Sequence, residues 1–252
     1  MMLPRVIPVL LLKGNGVYKT EKFKNPKYIG DPINAVKIFN EKEVDEIIIL
    51  DIDATANKQI NYKLIEDLAG ECFMPMSYGG GITSIEEIKK IISIGVEKVS
   101  INSAALNNLE IIKNASLQFG SSTIIVSVDI KKNLFGKYEI YNANKIKIKD
   151  NLIDYCKKIE AYGAGEILIN NVDKDGTMTG YDFNILKTIT ENVNIPVIAC
   201  GGAGKLEDFK HAIEYSKCSA VAAGSMFVFH GKHRAVLINY PSQNELKNLF
   251  EH

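Results

Sequence analysis

The 252-residue chain offers little that would tie it to a disulfide framework, a metal or a polyanion. Its four cysteines, Cys72, Cys156, Cys200 and Cys218, form no C-x-x-C pair and fall in apolar stretches. That excludes a disulfide scaffold and reads as free, buried thiols in a reducing cytosol. The four histidines, His211, His230, His233 and His252, form no cluster, and no metal-ligand spacing appears, so no metal and no other cofactor is expected. Thirty basic residues offset thirty acidic ones, which leaves no global field to recruit nucleic acid or an anionic membrane. Charge therefore points to a small-molecule ligand. Long apolar runs are missing too: Val6 to Leu12 is interrupted by Pro8, has no small-residue cleavage site and is far too short to span a bilayer. It reads as a strand, and a cytoplasmic protein is expected.

What is present is alternation. Short β-branched runs predict eight strands, near Val6–Leu12, Glu46–Asp51, Met74–Tyr78, Lys98–Ile101, Thr123–Asp129, Glu166–Asn171, Pro196–Cys200 and Ala220–Ala223. Amphipathic stretches such as Ser84–Ile94, Asn151–Tyr162, Asp182–Asn192 and Leu206–Ser216 lie between them, with polar residues ahead that suit helix caps. Such alternation implies a parallel sheet. The length suits a (βα)8 TIM barrel, typically about 250 residues, and also a large all-β or doubly wound domain. An internal repeat favours the barrel: Pro75 and Pro196, Gly80 and Gly201, Gly81 and Gly202, and Ser103 and Gly224 all share one separation in sequence. The expectation is a single barrel domain over residues 1–252, with half-barrels of about 1–120 and 121–252. Two longer insertions, Lys13–Gly30 and Lys131–Lys149, are expected as lids, and the Tyr-Asn-Ala-Asn segment of the second suggests a hairpin.

Gly79-Gly80-Gly81 follows the third strand and Gly201-Gly202-Ala203-Gly204 the seventh. Glycine there lets backbone N–H groups approach an anion, and Asn102-Ser103 and Gly224-Ser225 after the next strands supply further donors. One such loop alone would read as a tight turn; two at a fixed separation read as one phosphate pocket per half. Acids mark several strand ends: Asp51, Asp53, Asp129, Asp173 and Asp175. Asp129 closes an apolar strand, where a charge is costly unless used or paired, and is the candidate general acid or base. For Asp51 and Asp173, bracing a loop through backbone N–H groups is an equal alternative. At the opposite, amino-terminal strand ends stand Arg5, Glu46, Lys98 and Glu166, which form either a ring of ion pairs on the barrel floor or solvated strand starts.

With these residues in view, the chain resembles the cyclase subunit, HisF-type, of imidazole glycerol phosphate synthase from histidine biosynthesis. The resemblance runs nearly end to end. It is carried by Gly30-Asp31-Pro32, Leu50-Asp51-Ile52-Asp53, Gly79-Gly80-Gly81-Ile82, Lys98-Val99-Ser100-Ile101-Asn102, Gly163-Ala164-Gly165-Glu166-Ile167-Leu168, and Asp173-Lys174-Asp175-Gly176-Thr177 with Gly180-Tyr181-Asp182. It implies a glutaminase partner at the amino-terminal face, an ammonia gate at Arg5, Glu46, Lys98 and Glu166, and a phosphorylated small-molecule ligand. It also implies a mobile-loop lysine at Lys19, a catalytic role for Asp129, and substrate contacts at Asp51, Asp175, Gly176 and Thr177. The family's second catalytic acid is absent, because Leu11 stands in its place; Leu11 and Asp129 share the separation that also relates Lys13 to Lys131. Efficient imidazole cyclisation is therefore not expected. The run Met226–Pro241 departs from the histidine enzyme and resembles paralogues associated with glycan amidation, which implies an ATP-dependent sugar amidotransferase as a further partner.

Overall fold

The computed structural model of the chain describes residues 3–143, 146, 148 and 150–251. Eight parallel staves form a closed barrel: β1 (Arg5–Lys13), β2 (Ile47–Asp51), β3 (Met76–Gly79), β4 (Lys98–Ile101), β5 (Ile124–Lys132), β6 (Glu166–Asn171), β7 (Val197–Cys200) and β8 (Ala220–Ala223). Each pairs with the next, and β8 returns to β1 with Arg5 opposite Ala220 and Pro8 opposite Ala223. Closure removes both sheet edges and excludes the open doubly wound alternative. The expected strand positions hold within a few residues; β3 begins at Met76 rather than Met74, and β5 runs on past Asp129 to Lys132.

The staves read as continuous apolar runs because both of their faces are covered. Alternation sends Ile7, Val9, Ile48, Ile125, Leu168, Ile198, Ala220 and Ala222 into the barrel, where they form one buried cluster with Leu11 and Leu50 at its upper edge. Val6, Leu10, Leu12, Ile47 and Ile49 face outward into the larger core beneath the helices. At about 1.5–3 kcal/mol for each fully buried aliphatic side chain, these two layers dominate the stabilisation.

The helices start where local chemistry satisfies their first N–H groups. Asp31 accepts from Asn34 N at 2.9 Å ahead of Pro32–Glu41, with Pro32 in the first turn. Ser84 and Glu87 form a reciprocal capping box at Ile85–Ser93, and Asn151 caps Leu152–Ala161. Asp182 does not cap Phe183–Thr190 through its side chain; its carboxylate instead accepts from Tyr138 Oη and lies 3.3 Å from Lys132 Nζ.

Both insertions project from the carboxyl side. The first is an antiparallel hairpin, Gly16–Glu21 with Lys24–Gly30, that pairs with the end of β1 through Leu11 and Tyr18. In the second, the hairpin lies upstream of the expected Tyr-Asn-Ala-Asn segment: β5 pairs antiparallel with Tyr138–Ile140. The turn sits there because Asn133 Oδ1 accepts from Phe135 N (2.9 Å) and Lys137 N (3.1 Å), while Gly136 adopts φ +77°. Asn144 of the expected segment lies outside the described residues. A further two-stranded hairpin, Phe229–His230 with Ala235–Val236, follows β8 and leads to the helix Gln243–Glu251. Among the described residues no helix is long and apolar enough to cross a membrane.

Candidate functional site

The carboxyl ends of the staves surround a cavity of about 540 Å³. Two glycine turns form opposite parts of its wall. Gly80 adopts φ +125°, and a Cβ there would collide with the Asp51 carbonyl at the end of the neighbouring stave. Gly201, at φ +82°, stands in the same relation to the end of β6, where a Cβ would come within 2.7 Å of the Asn171 carbonyl. Only glycine allows this approach, so the two turns bring backbone into the cavity where a side chain would block it. Gly81 and Gly202 continue the turns, and Asn102, Ser103, Gly224 and Ser225 line the cavity from the ends of β4 and β8. The structure thus gathers the two glycine pairs and the four residues that follow β4 and β8 around one mouth.

Asp129 reaches into that mouth from β5. Its Oδ2 accepts from Asn102 Nδ2 at 2.9 Å. Burial pushes its carboxyl up to about 7 from the ordinary 3.8; the amides of Asn170 and Asn102 hold it back, and the charge of Asp175 adds to the rise. A carboxyl poised there exchanges a proton readily near neutrality. Asn170, from β6, also lines the mouth, and its Oδ1 is buried with no hydrogen-bond partner among the described residues. Sequence reasoning passed over Asn170; the signal was a polar residue one step from the end of an apolar strand.

Lys19 comes from the first insertion's hairpin. Its amine is buried, donates to the Val9 carbonyl and presses against Gly224. Burial lowers it to about 8 from 10.5, against the opposing pull of Asp175. Asp175 lines the mouth and accepts from Thr20 Oγ1 at 2.9 Å, which joins the loop after β6 to the hairpin. Gly176 lines it as well, but Thr177 is not among the described lining residues, and its hydroxyl donates to the Lys174 carbonyl at 2.8 Å. Asp51 both lines the mouth and braces a turn, its Oδ1 accepting from Asp53 N and Ala54 N at 3.0 Å each. Asp173 serves as a brace: its Oδ2 accepts from Lys132 N at 2.8 Å, tying down the second insertion.

Leu11 also faces the mouth. Its stave, β1, lies four positions from β5 in either direction around the closed barrel, so Leu11 and Asp129 look inward from opposite walls. Leu11 packs beside Leu50 on the upper edge of the inner apolar cluster. Polar side chains interrupt the inner apolar cluster: Ser100 and Ser127 share a hydrogen bond of 2.8 Å, and Ser77 donates to Glu46 at 2.9 Å.

At the other end of the barrel the four charged residues close into a ring. Arg5 contacts Glu46 at 2.5 Å and Glu166 at 2.9 Å, and Lys98 contacts Glu166 at 2.8 Å and Glu46 at 3.3 Å. Each cation bridges both anions, so these are not independent solvated strand starts. Burial raises Glu166, but the hydrogen bonds and charges of Arg5 and Lys98 outweigh it and hold the carboxyl below its ordinary value. Of the thiols, Cys200 lines the mouth and is pushed up to about 12 by burial, which leaves it a weak nucleophile. No group of three or more His, Cys, Asp or Glu suited to a metal ion occurs among the described residues.

Comparison with known proteins places this geometry in context. The family described as histidine biosynthesis protein matches residues 5–234. A Pseudomonas aeruginosa protein provisionally named imidazole glycerol phosphate synthase subunit hisF2 is 53% identical over 244 residues, covering 96% of this chain and 97% of that protein. A Leptospira borgpetersenii protein, provisionally named as the HisF subunit of the same synthase, is 47% identical over 254 residues, covering 99% of this chain and 100% of that protein. The imidazole glycerol phosphate synthase subunit HisF of Alkaliphilus metalliredigens is 38% identical over 232 residues, covering 91% of this chain and 92% of that protein.

Proposed function

The chain belongs to the histidine biosynthesis protein family, among the HisF-type cyclase subunits of imidazole glycerol phosphate synthase, and from that premise we propose that it conducts ammonia rather than using it to close an imidazole ring. In this reading a HisH-type glutaminase docks on the amino-terminal face and releases ammonia against the ring of Arg5, Glu46, Lys98 and Glu166, which acts as the gate. Ammonia then passes the buried hydroxyls of Ser77, Ser100 and Ser127 and leaves at the mouth. A phosphorylated ligand, a nucleotide-linked sugar in surface-glycan synthesis, sits on the two glycine turns with Lys19 above it, and an ATP-dependent sugar amidotransferase uses the ammonia for amidation. The two turns, set alike against their neighbouring staves, support the further proposal that the domain arose from two half-barrels.

One observation carries the proposal: Leu11 occupies the wall opposite Asp129 while the floor ring is complete. A leucine cannot exchange a proton, and loss of one member of an acid–base pair removes a factor of about 10²–10⁴ in rate. Mixing the purified protein with a HisH-type glutaminase and measuring glutamine hydrolysis tests the conduit. A stable complex with raised glutamine turnover is expected; no complex and unchanged turnover defeats the proposal.

A second reading, a working cyclase subunit of histidine biosynthesis, is favoured by Asp175, which lines the same mouth and whose charge acts on Asp129. There the pair would be Asp129 and Asp175. Turnover of the cyclase's two-phosphate substrate by the purified protein with an ammonium salt would establish it, and absence of turnover would remove it.

A further inference from the structure

The first-insertion hairpin, Gly16–Gly30, is fastened on two sides. On the inner side Lys19 donates to Val9 O, Thr20 Oγ1 donates to Asp175 Oδ2, and Lys22 N donates to Asp175 O at 2.9 Å. On the outer side it meets the hairpin Phe229–Val236. Arg234 Nη1 lies 3.3 Å from Glu21 Oε2, and Arg234 Nη2 donates to the Gly176 carbonyl at 2.9 Å. The same guanidinium lies 4.7 Å from the centre of the Phe229 ring, which Lys27 approaches to 5.0 Å. Arg234 thus touches the first-insertion hairpin and the loop after β6 while seated in a turn of its own, with φ +50° and its N–H donating to Gly231 O at 3.0 Å. A side-chain-bearing residue seldom takes that conformation, and here it aims the guanidinium at two loops distant in sequence.

We propose that the hairpin Phe229–Val236 is a clasp, with Arg234 as its pin, that holds the first-insertion hairpin down over the mouth and sets how often the mouth is open to ligand. An exposed ion pair alone contributes little, and a lone hydrogen bond to a carbonyl is modest. Three contacts converging on one planar guanidinium act together, strong enough to keep the cover closed and weak enough to release it by local opening. Arg234 is a positioning residue: it reaches the site only through Glu21 and Gly176. Its action depends on geometry and not on which ligand the mouth takes, so the clasp and the conduit stand or fall separately.

The test uses the full chain without ligand. Hydrogen–deuterium exchange over residues 16–30 and the rate at which an amine-reactive acylating reagent labels Lys19 are compared between wild type, Arg234→Ala, Arg234→Lys and Glu21→Gln. With Arg234→Ala both rates are expected to rise about tenfold. Glu21→Gln should raise them about twofold, and Arg234→Lys, which keeps the charge but loses the planar fork, should fall between. Exchange over 124–132 in β5 should stay at its wild-type rate. Unchanged rates at 16–30 and Lys19 would overturn the clasp, and so would an equal rise over 124–132, because the effect would then be global unfolding.

Discussion

Replacing Arg5 by Met takes away the contacts to Glu46 and Glu166 and leaves Lys98 alone between two carboxylates. The Glu46 side chain is only 3% exposed and that of Glu166 11%, so neither recovers its hydration in place. Breaking a fully buried pair costs about 3–5 kcal/mol. The Arg5 side chain is 30% exposed, so water enters where the guanidinium stood, and Ser77 still donates to Glu46. The expected loss is therefore nearer ~2 kcal/mol, or about 4–8 °C in melting temperature for a chain of this size. The pH dependence has a definite sign. Glu166 sits below its ordinary 4.5 in the fold, so its contribution is fully present above that value and is lost as pH falls through the lower, folded one. The gap between wild type and Arg5→Met should be widest near neutral pH and narrow as pH falls below 4.5. Urea unfolding at both pH values measures it. A gap under about 0.5 kcal/mol at neutral pH, or one equally wide at both, would refute the ring as a coupled unit.

Asp129→Asn should act in the opposite direction. A carboxyl raised from 3.8 to about 7 keeps its proton in the fold after the unfolded chain has lost it, so wild type loses stability as pH rises between those two values and the penalty is fully present above the higher one. The variant should be more stable than wild type by about 1–2 kcal/mol above neutrality and equal to it near pH 4, as read from melting curves across pH. Gly80→Ala puts a methyl group against the Asp51 carbonyl at a φ that disfavours L residues. It should cost about 1–3 kcal/mol and abolish any rise in melting temperature that inorganic phosphate gives the wild type.

The barrel was legible because its staves are buried on both faces, and that pressure writes runs such as Ile47–Leu50 and Ile124–Val128 directly into the sequence. The glycine turns were legible because a side chain at Gly80 or Gly201 has no room, so glycine stands at both positions. Asp129 stood out as a charge ending an apolar strand. The covers of the mouth were not legible in detail. Lys24–Gly30 is a mostly exposed strand rich in lysine and shows no inward alternation, so its pairing follows from the strand beside it rather than from its own pattern. The Phe229–Val236 hairpin has only two paired residues on each side and depends on contacts from Arg234 to residues far away in sequence. Asp51 and Asp173 show the limit for single side chains: a carboxylate at a strand end looks alike whether it serves a ligand or a turn, and here both hold backbone N–H groups. Thr177 lay in a matching motif, yet local turn geometry directs its hydroxyl to Lys174.

The proposed conduit role rests on Leu11 lining the mouth opposite Asp129. Growth of a histidine-requiring strain that lacks its own cyclase measures this directly, with wild type and Leu11→Asp expressed to equal soluble levels. A barrel that only conducts ammonia gives no growth as wild type and restored growth as Leu11→Asp. Growth supported by the wild-type chain, unimproved by the added carboxylate, would contradict it.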